Sequence, residues 1–229
     1  MQQYVFLMQR TFFIGDIHGC SKTFKKMVKD NIGVTKGDII CCLGDYVDRG
    51  PDSKGVVDFI LELKEGGCKV YTLRGNHEQM LLDSEEGGFY YELWMQNGGH
   101  QTLDSFDINS VAELSPVYKE FFRDTEFFFQ TDDYITVHAG LNFNAGNPLE
   151  DWEAMLWIRD FWVDESYLKN KPLIHAHTPI SRDMLIQQGL DGAVNLDGGC
   201  VYKYAPGLGS LFALDFYGKK FHETRNIDF

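Results

Sequence analysis

The chain has 229 residues, a length typical of one domain that buries an ordinary apolar core. Hydrophobic residues make up 44% of the sequence and charged residues 24%, which indicates a folded globular protein and excludes a disordered tail. The formal net charge of −13 argues against general binding to nucleic acid or to an anionic membrane, since both require clustered cations.

The N-terminus and the cysteines bear on location. The apolar run Tyr4 to Met8 has no preceding Lys or Arg and is too short for the core of a signal peptide. No run approaches the ~18 apolar residues of a membrane span. The five cysteines are odd in number and form no C-x-x-C pair, so we expect reduced thiols. These features predict a cytoplasmic protein without nucleic acid or membrane as a partner.

The first half of the chain alternates short apolar runs with amphipathic stretches. Runs at Arg10 to Ile14, Asp38 to Leu43 and Lys69 to Leu73 predict three strands, the second of them buried on both faces. The stretches Ser21 to Asn31 and Ser53 to Lys64 carry apolar residues at helical spacing. This β-α-β-α-β order predicts a mostly parallel sheet with helices on its faces.

The rest of the chain predicts a cap and a second sheet. The segment around residues 78–125 is rich in helix and loop signals, and we expect it to form a small cap within a single domain over residues 1–229. A helix is predicted within Pro148 to Phe161. The last third is expected to form an antiparallel second sheet, so that the fold is α/β, a two-sheet β-sandwich flanked by helices. The predicted later strands are Glu126 to Gln130, Tyr134 to Val137, Leu173 to Ala176, Ala193 to Leu196, Ser210 to Asp215 and Lys219 to Glu223.

Polar side chains follow the apolar runs at the points where the predicted strands end. The carboxyl ends of strands in open α/β sheets face the binding crevice, so these side chains should meet at one edge. Carboxylate, amide and imidazole together suit Mn, Fe, Zn or Co better than an all-oxygen calcium site, and six ligands suffice for two ions if one carboxylate bridges them. The six residues are Asp16, His18, Asp45, Asn76, His138 and His177.

Three motifs carry a resemblance to a known family: Asp16-x-His18, Gly44-Asp45-x-x-Asp48-Arg49-Gly50 and Gly75-Asn76-His77-Glu78. With the two later histidines, they make positions 15 to 179 resemble the calcineurin-like metallophosphoesterases. Within these, the chain is most similar in motif style to the serine/threonine phosphoprotein phosphatases of bacteria and phages. The neighbouring symmetrical diadenosine tetraphosphatases usually carry Asp in place of Glu78 and Ala in place of Asp48.

The resemblance implies a centre with two divalent ions, with manganese expected first and iron, zinc, cobalt or nickel as alternatives. Asp16, His18 and Asp45 would hold the first ion. The second ion would be held by Asn76, His138 and His177 and also by Asp45, which would bridge the two ions. His175 lies two residues before His177 and so on the same strand face, and the sequence leaves open whether it also contacts the site.

The resemblance also implies the catalytic residues. A metal-bridged hydroxide would attack phosphorus, and His77 would be the general acid for the leaving group, oriented by Asp48. Arg49 and Arg159 would bind the phosphate oxygens together with Asn76, because a guanidinium pairs two oxygens at once.

Three functions remain open on these residues. The expected one is hydrolysis of phosphomonoesters, namely phosphoserine or phosphothreonine in a protein, or a small phosphate ester. The alternative is symmetrical hydrolysis of dinucleoside polyphosphates such as diadenosine tetraphosphate. The third is an inactive phosphoesterase fold used as a binding module, but such a module would be expected to lack ligands or His77, and none is missing.

Overall fold

The computed structural model of the chain describes residues 9–229, so the run Tyr4 to Met8 lies outside the described residues. Nine strands in this part of the chain form two sheets, one of five strands and one of four. In chain order the strands are β1 (Thr11–Ile14), β2 (Ile39–Cys42), β3 (Lys69–Thr72), β4 (Phe128–Gln130), β5 (Ile135–Val137), β6 (Leu173–His175), β7 (Ala193–Asn195), β8 (Ser210–Asp215) and β9 (Lys220–Arg225).

Helices connect most of these strands. The first of them continues beyond Lys26 as a π-helical segment, Met27–Ile32. Two short 3₁₀ turns separate later helices, and a third precedes the seventh helix. The α-helices are α1 (Ser21–Lys26), α2 (Ser53–Glu65), α3 (Asn76–Asp83), α4 (Gly88–Gln96), α5 (Gly99–Phe106), α6 (Pro116–Arg123), α7 (Trp152–Trp157), α8 (Glu165–Leu168) and α9 (Arg182–Gln187).

The first sheet has the order β3-β2-β1-β8-β9. Its first three strands are parallel, as the β-α-β-α-β pattern predicts, because α1 and α2 carry the chain back between them. On the other side of β1, β8 pairs antiparallel with β1 and β9 pairs antiparallel with β8. The two-sheet α/β sandwich flanked by helices is confirmed.

The expectation of an antiparallel second sheet formed by the last third of the chain is wrong. The second sheet has the order β4-β5-β6-β7, and only the β4–β5 pair is antiparallel. The β5–β6 connection contains α7 and α8, and the β6–β7 connection contains α9, so these strands are joined by crossovers and run parallel. The last two strands are joined by a tight turn at residues 216–219 and belong to the first sheet.

The core is divided by the first sheet. Phe12 and Ile14 of β1 lie among the side chains of α1 and α2, whereas Phe13 lies between the two sheets. This alternation is what a strand buried on both faces requires. Between the sheets, Phe13 packs in one cluster with Ile174 of β6 and Val194 of β7. The packing fixes the two sheets so that their parallel strands end along a common edge.

Four helices, α3 to α6, lie between β3 and β4, in the segment around residues 78–125 for which a cap is predicted. Their apolar side chains, including Trp94, Phe106 and Phe122, join the cluster that covers the first sheet. The assignment of residues 1–229 to a single domain stays a prediction. No helix within residues 9–229 is long and apolar enough to cross a membrane, and the cytoplasmic location stays a prediction.

Candidate active site

The predicted ligand residues follow the carboxyl ends of five strands and lie together. Asp16 and His18 follow β1, Asp45 follows β2, and Asn76 follows β3. From the second sheet, His138 and His177 follow β5 and β6. All six side chains are buried, with at most 6% of the surface of any of these residues exposed (Asp16, His18, Asp45, Asn76, His138, His177). The structure therefore brings all six to one site, but Asp16 is in neither of the two groups whose His and Asp ligand atoms all lie within 4.8 Å of one another.

Four ligand atoms converge around His138. Its Nδ1 lies 2.8 Å from the carbonyl oxygen of Leu43, which can only accept, so Nδ1 carries the proton and Nε2 presents a lone pair. His138 Nε2 lies 3.1 Å from Asn76 Oδ1, 3.2 Å from His177 Nδ1 and 3.5 Å from Asp45 Oδ1. In a tetrahedral site with ligands at about 2.0–2.1 Å, neighbouring ligand atoms are about 3.3 Å apart. Since unshared electron pairs facing one another repel, this set fits a divalent cation.

A second group of ligand atoms shares Asp45. His18 Nδ1 lies 2.9 Å from the Val47 carbonyl oxygen, so His18 also presents an Nε2 lone pair, and this atom lies 3.4 Å from Asp45 Oδ2. Ligand atoms of His18, Asp45 and His77 all lie within 4.8 Å of one another. The Asp45 carboxylate therefore directs one oxygen to each group. His77, which the resemblance keeps out of the ligand set, is thus part of this second group.

Asp16 contacts a carboxylate that the sequence analysis missed. Asp197 follows β7, is 2% exposed and lies close enough to Asp16 for the two carboxyl groups to affect each other's pKa. Burial and the nearby Asp45 charge raise the pKa of Asp197 to about 7, despite a hydrogen bond from the Gly199 amide. The sequence indicates only a turn at Asp197-Gly198-Gly199. Like the other site residues, Asp197 comes directly after a predicted strand, and this position could have identified it from the sequence.

The protonation states suit a cation. Burial lowers the pKa of His18 and His138, and lowers that of His177 to about 3, so the three rings are neutral near pH 7. Neutral imidazole is the form that binds metal. Burial alone would raise the pKa of Asp45, but the surrounding imidazoles lower it well below its ordinary value. The cluster thus offers neutral nitrogens around an ionised carboxylate.

His77 and Asp48 form a buried pair next to these ligands. His77 Nδ1 lies 2.7 Å from Asp48 Oδ2, and both residues are at most 1% exposed. The carboxylate only accepts, so His77 carries its proton on Nδ1 in the neutral ring. Within residues 9–229 no group hydrogen-bonds with His77 Nε2. The backbone amide of His77 donates to Asp45 Oδ1 at 3.1 Å, which fixes the ring to the ligand cluster.

Of the two predicted phosphate-binding arginines, Arg49 contacts a ligand residue and Arg159 contacts the neighbour of one. The half-buried Arg49 places Nη1 2.9 Å from His18 Nε2. His18 Nε2 cannot hold an ion and accept this hydrogen bond at once, so we expect the guanidinium to move off the ring when an ion binds. The exposed Arg159 lies 3.5 Å from the hydroxyl of Thr178, next to His177. His175 belongs to neither ligand group, since its Nδ1 lies 3.3 Å from the Ala176 carbonyl oxygen.

The backbone at the site is strained. Nine non-glycine residues within the described part of the chain have positive φ, and five of them are site residues: His18, Asp45, Asp48, Arg49 and His177. Such conformations cost about 1–3 kcal/mol each and persist where surrounding structure imposes them. At Asp45, whose φ is 52°, the buried Glu78 carboxylate imposes the strained conformation. It accepts from the amides of Asp45, Tyr46 and Gly75 at 2.8, 2.8 and 2.9 Å.

Comparison with curated proteins gives relatives of two kinds. The chain is 35% identical over 91 residues to serine/threonine-protein phosphatase 1 of Salmonella typhimurium, covering 40% of this chain and 39% of that one. It is 33% identical over 132 residues to a symmetrical bis(5′-nucleosyl)-tetraphosphatase of Nitrosomonas europaea, covering 57% and 44%. It is 26% identical to the asymmetrical bis(5′-nucleosyl)-tetraphosphatase PrpE of a Geobacillus species, covering 82% and 85%. The matches thus span less than half the length of the first two curated relatives.

Solved structures share the fold. A serine/threonine phosphatase from Saccharomyces cerevisiae superposes with a TM-score of 0.65 at 14% identity, covering 96% of this chain and 81% of that one. A protein described as a candidate diadenosine tetraphosphatase superposes with a TM-score of 0.62 at 19% identity, covering 97% and 96%.

The sequence profile of the calcineurin-like phosphoesterases matches residues 9–208, which include every ligand residue described above. Members of this family use divalent metal ions, and the two ligand groups around Asp45 are arranged to hold such ions. The chain therefore belongs to the calcineurin-like phosphoesterase family.

Proposed function

We propose that this protein is a metal-dependent phosphomonoester hydrolase that acts on phosphoserine and phosphothreonine. The observation that carries the proposal is the buried pair of His77 and Asp48, 2.7 Å apart beside the ligand cluster. The alkoxide of serine or threonine is a strongly basic leaving group, which requires a proton as its bond to phosphorus breaks. A nucleoside phosphate leaves as a stable anion and has much less need of one. A dedicated proton donor therefore favours the phosphomonoester.

The proposed centre holds two divalent ions. Asp16, His18 and Asp45 would hold one, and Asp45 would share the other with a second set, Asn76, His138 and His177. Mixed oxygen and imidazole ligands suit manganese, which we expect first, and also iron, zinc, cobalt or nickel. When bound, two such ions polarise the phosphoryl oxygens and lower the pKa of a water to about 7.

The remaining steps belong to side chains of this protein. Arg49 and Arg159 bind the non-bridging phosphate oxygens from two sides, and the Asn76 amide contributes a further polar contact. His77 donates the proton to the leaving oxygen from Nε2, while Asp48 holds Nδ1 and stabilises the charged ring before transfer.

Hydrolysis of dinucleoside polyphosphates is the second candidate, and two aromatic side chains favour it. Tyr202 is 37% exposed, and the Arg49 guanidinium lies 5.8 Å from its ring centre. Trp157 is 38% exposed, and its ring centre lies 6.4 Å from that of His177. Exposed rings beside a phosphate-binding arginine and a ligand histidine are suited to stacking on a nucleobase. The inactive binding module is the least supported reading, because the ligands and His77 are all present and converge.

One comparison of substrates tests the proposal. The same manganese-loaded sample is assayed for kcat/KM on a phosphothreonine peptide and on diadenosine tetraphosphate. We expect the higher value on the peptide, because only that substrate needs the proton from His77. A higher value on diadenosine tetraphosphate would assign the site to the second candidate, and no turnover of either substrate would support the binding module.

Replacing either phosphate-binding arginine should lower activity without loss of metal. Loss of a charge-assisted hydrogen bond costs about 1.5–3 kcal/mol, so we expect Arg49→Ala and Arg159→Ala to reduce kcat/KM by about ten- to a hundredfold. The measurement is kcat/KM together with ions per chain by elemental analysis. Arg182→Ala is the control, since that exposed arginine pairs with Glu223 and contacts no ligand residue. Metal loss or unchanged kinetics in Arg159→Ala would remove Arg159 from the site.

A further inference from the structure

The Asp48 carboxylate receives hydrogen bonds from two residues besides His77, and both come from the helical segment between β3 and β4. Trp94 Nε1 lies 3.0 Å from Asp48 Oδ2 and 3.1 Å from Oδ1. The Thr102 hydroxyl lies 2.6 Å from Oδ1. Asp48, His77, Trp94 and Thr102 are each at most 1% exposed. Water therefore has little access to these bonds.

The directions of these bonds are determined by chemistry. The indole nitrogen of Trp94 can only donate. The Thr102 hydroxyl accepts from the backbone amide of Asp48 at 2.9 Å, which leaves its own proton for Asp48 Oδ1. The Ser53 hydroxyl, 3.1 Å from the same amide and from Thr102, supports this arrangement. One threonine thus binds both the backbone and the side chain of a residue held at a φ of 69°.

The segment from Trp94 to Thr102 closely approaches the loop that contains Asp48 and Arg49. A Cβ at Gly99 would lie 2.5 Å from the Trp94 indole, so glycine there lets the ring pack flat against the backbone. A Cβ at Gly98 would lie 2.8 Å from the backbone nitrogen of Arg49. The Gly98 carbonyl oxygen accepts from that same nitrogen at 3.4 Å. A side chain at either glycine would clash, so both glycines are required for this segment to contact Asp48 and Arg49.

We infer that Trp94 and Thr102 are positioning residues that orient Asp48 so that His77 can act as the proton donor, an inference that rests on the proposed function. With three donors on one buried carboxylate, its plane cannot turn, and Oδ2 stays on His77 Nδ1. That bond places the proton of the neutral ring on Nδ1 and directs Nε2 away from Asp48. If either added donor is lost, the carboxylate can rotate away from His77 and stabilises the charged ring less well.

The test measures dependence on the leaving group. Thr102→Val keeps the shape of the side chain and removes the hydroxyl, and Trp94→Phe removes the indole N–H. We expect each to lower kcat on a phosphothreonine peptide by about tenfold, the value of one hydrogen bond to a charged group, and to lower kcat on p-nitrophenyl phosphate by less than threefold. Thr102→Ser should restore the peptide activity. Both ions should remain bound in all three variants.

A purely structural role would give a different result. Phe106→Leu, on the same helix as Thr102 but without contact to Asp48, is the control for packing, and it should lower Tm without changing the ratio of the two kcat values. Equal losses on both substrates in Thr102→Val and Trp94→Phe, or a lowered Tm alone, would overturn the inference. His77→Asn in the same assay distinguishes failure of this inference from failure of the proposed function. If His77→Asn shows the leaving-group dependence and Thr102→Val and Trp94→Phe do not, only the inference fails.

Discussion

Asp45→Asn is expected to lose the ion next to His18 and to lower kcat/KM by at least about 10³-fold. Polarisation by a bound metal is worth several kcal/mol in the transition state, and each 1.4 kcal/mol or so is a factor of about ten in rate. No other single ligand change should be as damaging, because Asp45 alone contributes an atom to both ligand groups.

The contacts of the two Asp45 oxygens indicate which ion is lost. Oδ1 accepts from the His77 amide at 3.1 Å, so an asparagine will keep its own oxygen there. Its amino group must then take the place of Oδ2, 3.4 Å from His18 Nε2, where a donor cannot bind a cation. The ion near His138 keeps an oxygen ligand but loses the negative charge. We therefore expect no ion in the first site and a weakened one in the second.

Elemental analysis and the rise in Tm on adding manganese measure this result, because an ion that binds only the folded chain stabilises it. Asp38→Asn is the matched control. Asp38 precedes the same strand, β2, at its opposite end, and pairs with Arg10 at 2.6 Å. The Asp38→Asn variant should bind two ions, as the unmodified protein does. Two tightly bound ions in Asp45→Asn would show that the carboxylate does not bridge.

The three parallel strands of the first sheet, β1 to β3, were predictable because their signals are local. The runs around Phe13 and Cys41 are apolar at successive positions, which a strand buried on both faces requires, and helical stripes separate them. Strand, helix and parallel order follow from such a pattern without knowledge of any distant residue. The positions of Asp16, Asp45 and Asn76 at one edge follow in turn, because parallel strands all end on the same side.

The second sheet was not predictable in the same way. Its strands β4 to β7 have three residues each, too few for periodicity to show their partners. The helices that make β5 to β7 parallel have only four to six residues, and only α7 lies in a stretch for which a helix is predicted, Pro148 to Phe161. β8 has six residues, but nothing local shows that it pairs with β1 rather than with its neighbours along the chain.

The residues that support the site were missed for a related reason. Asp48 and His77 are recognisable because they lie within motifs, whereas Trp94 and Thr102 contact Asp48 across 46 and 54 residues of chain. In the sequence, Trp94 is one aromatic residue among many, and Gly98-Gly99 indicates only a helix break. Asp197 likewise has the composition of a turn. Side chains that position or surround a reacting group have no spacing of their own, so only the folded arrangement identifies them.

His77→Asn is expected to lower kcat on a phosphothreonine peptide by about 10²–10⁴-fold, the usual contribution of general acid catalysis. On p-nitrophenyl phosphate the loss should be much smaller, because that phenolate leaves without a full proton. Asp48→Asn should show the same dependence in milder form, since Asp48 only orients and charges the ring through its 2.7 Å hydrogen bond. The measurement is one kcat value for each leaving group in each variant, with ions counted in the same samples.

The position of His77 in the group with His18 and Asp45 makes the ion count decisive. Ligand atoms of His77, His18 and Asp45 lie within 4.8 Å of one another, so the ring is also placed to bind an ion. The hydrogen bond of Nδ1 to Asp48 leaves only Nε2 for either role. His100→Asn, at an exposed histidine on α5, controls for loss of an imidazole elsewhere. Two ions with a leaving-group-dependent loss identify His77 as the acid, one ion identifies it as a ligand, and two ions with equal losses on both substrates identify it as a stabiliser of the phosphoryl group.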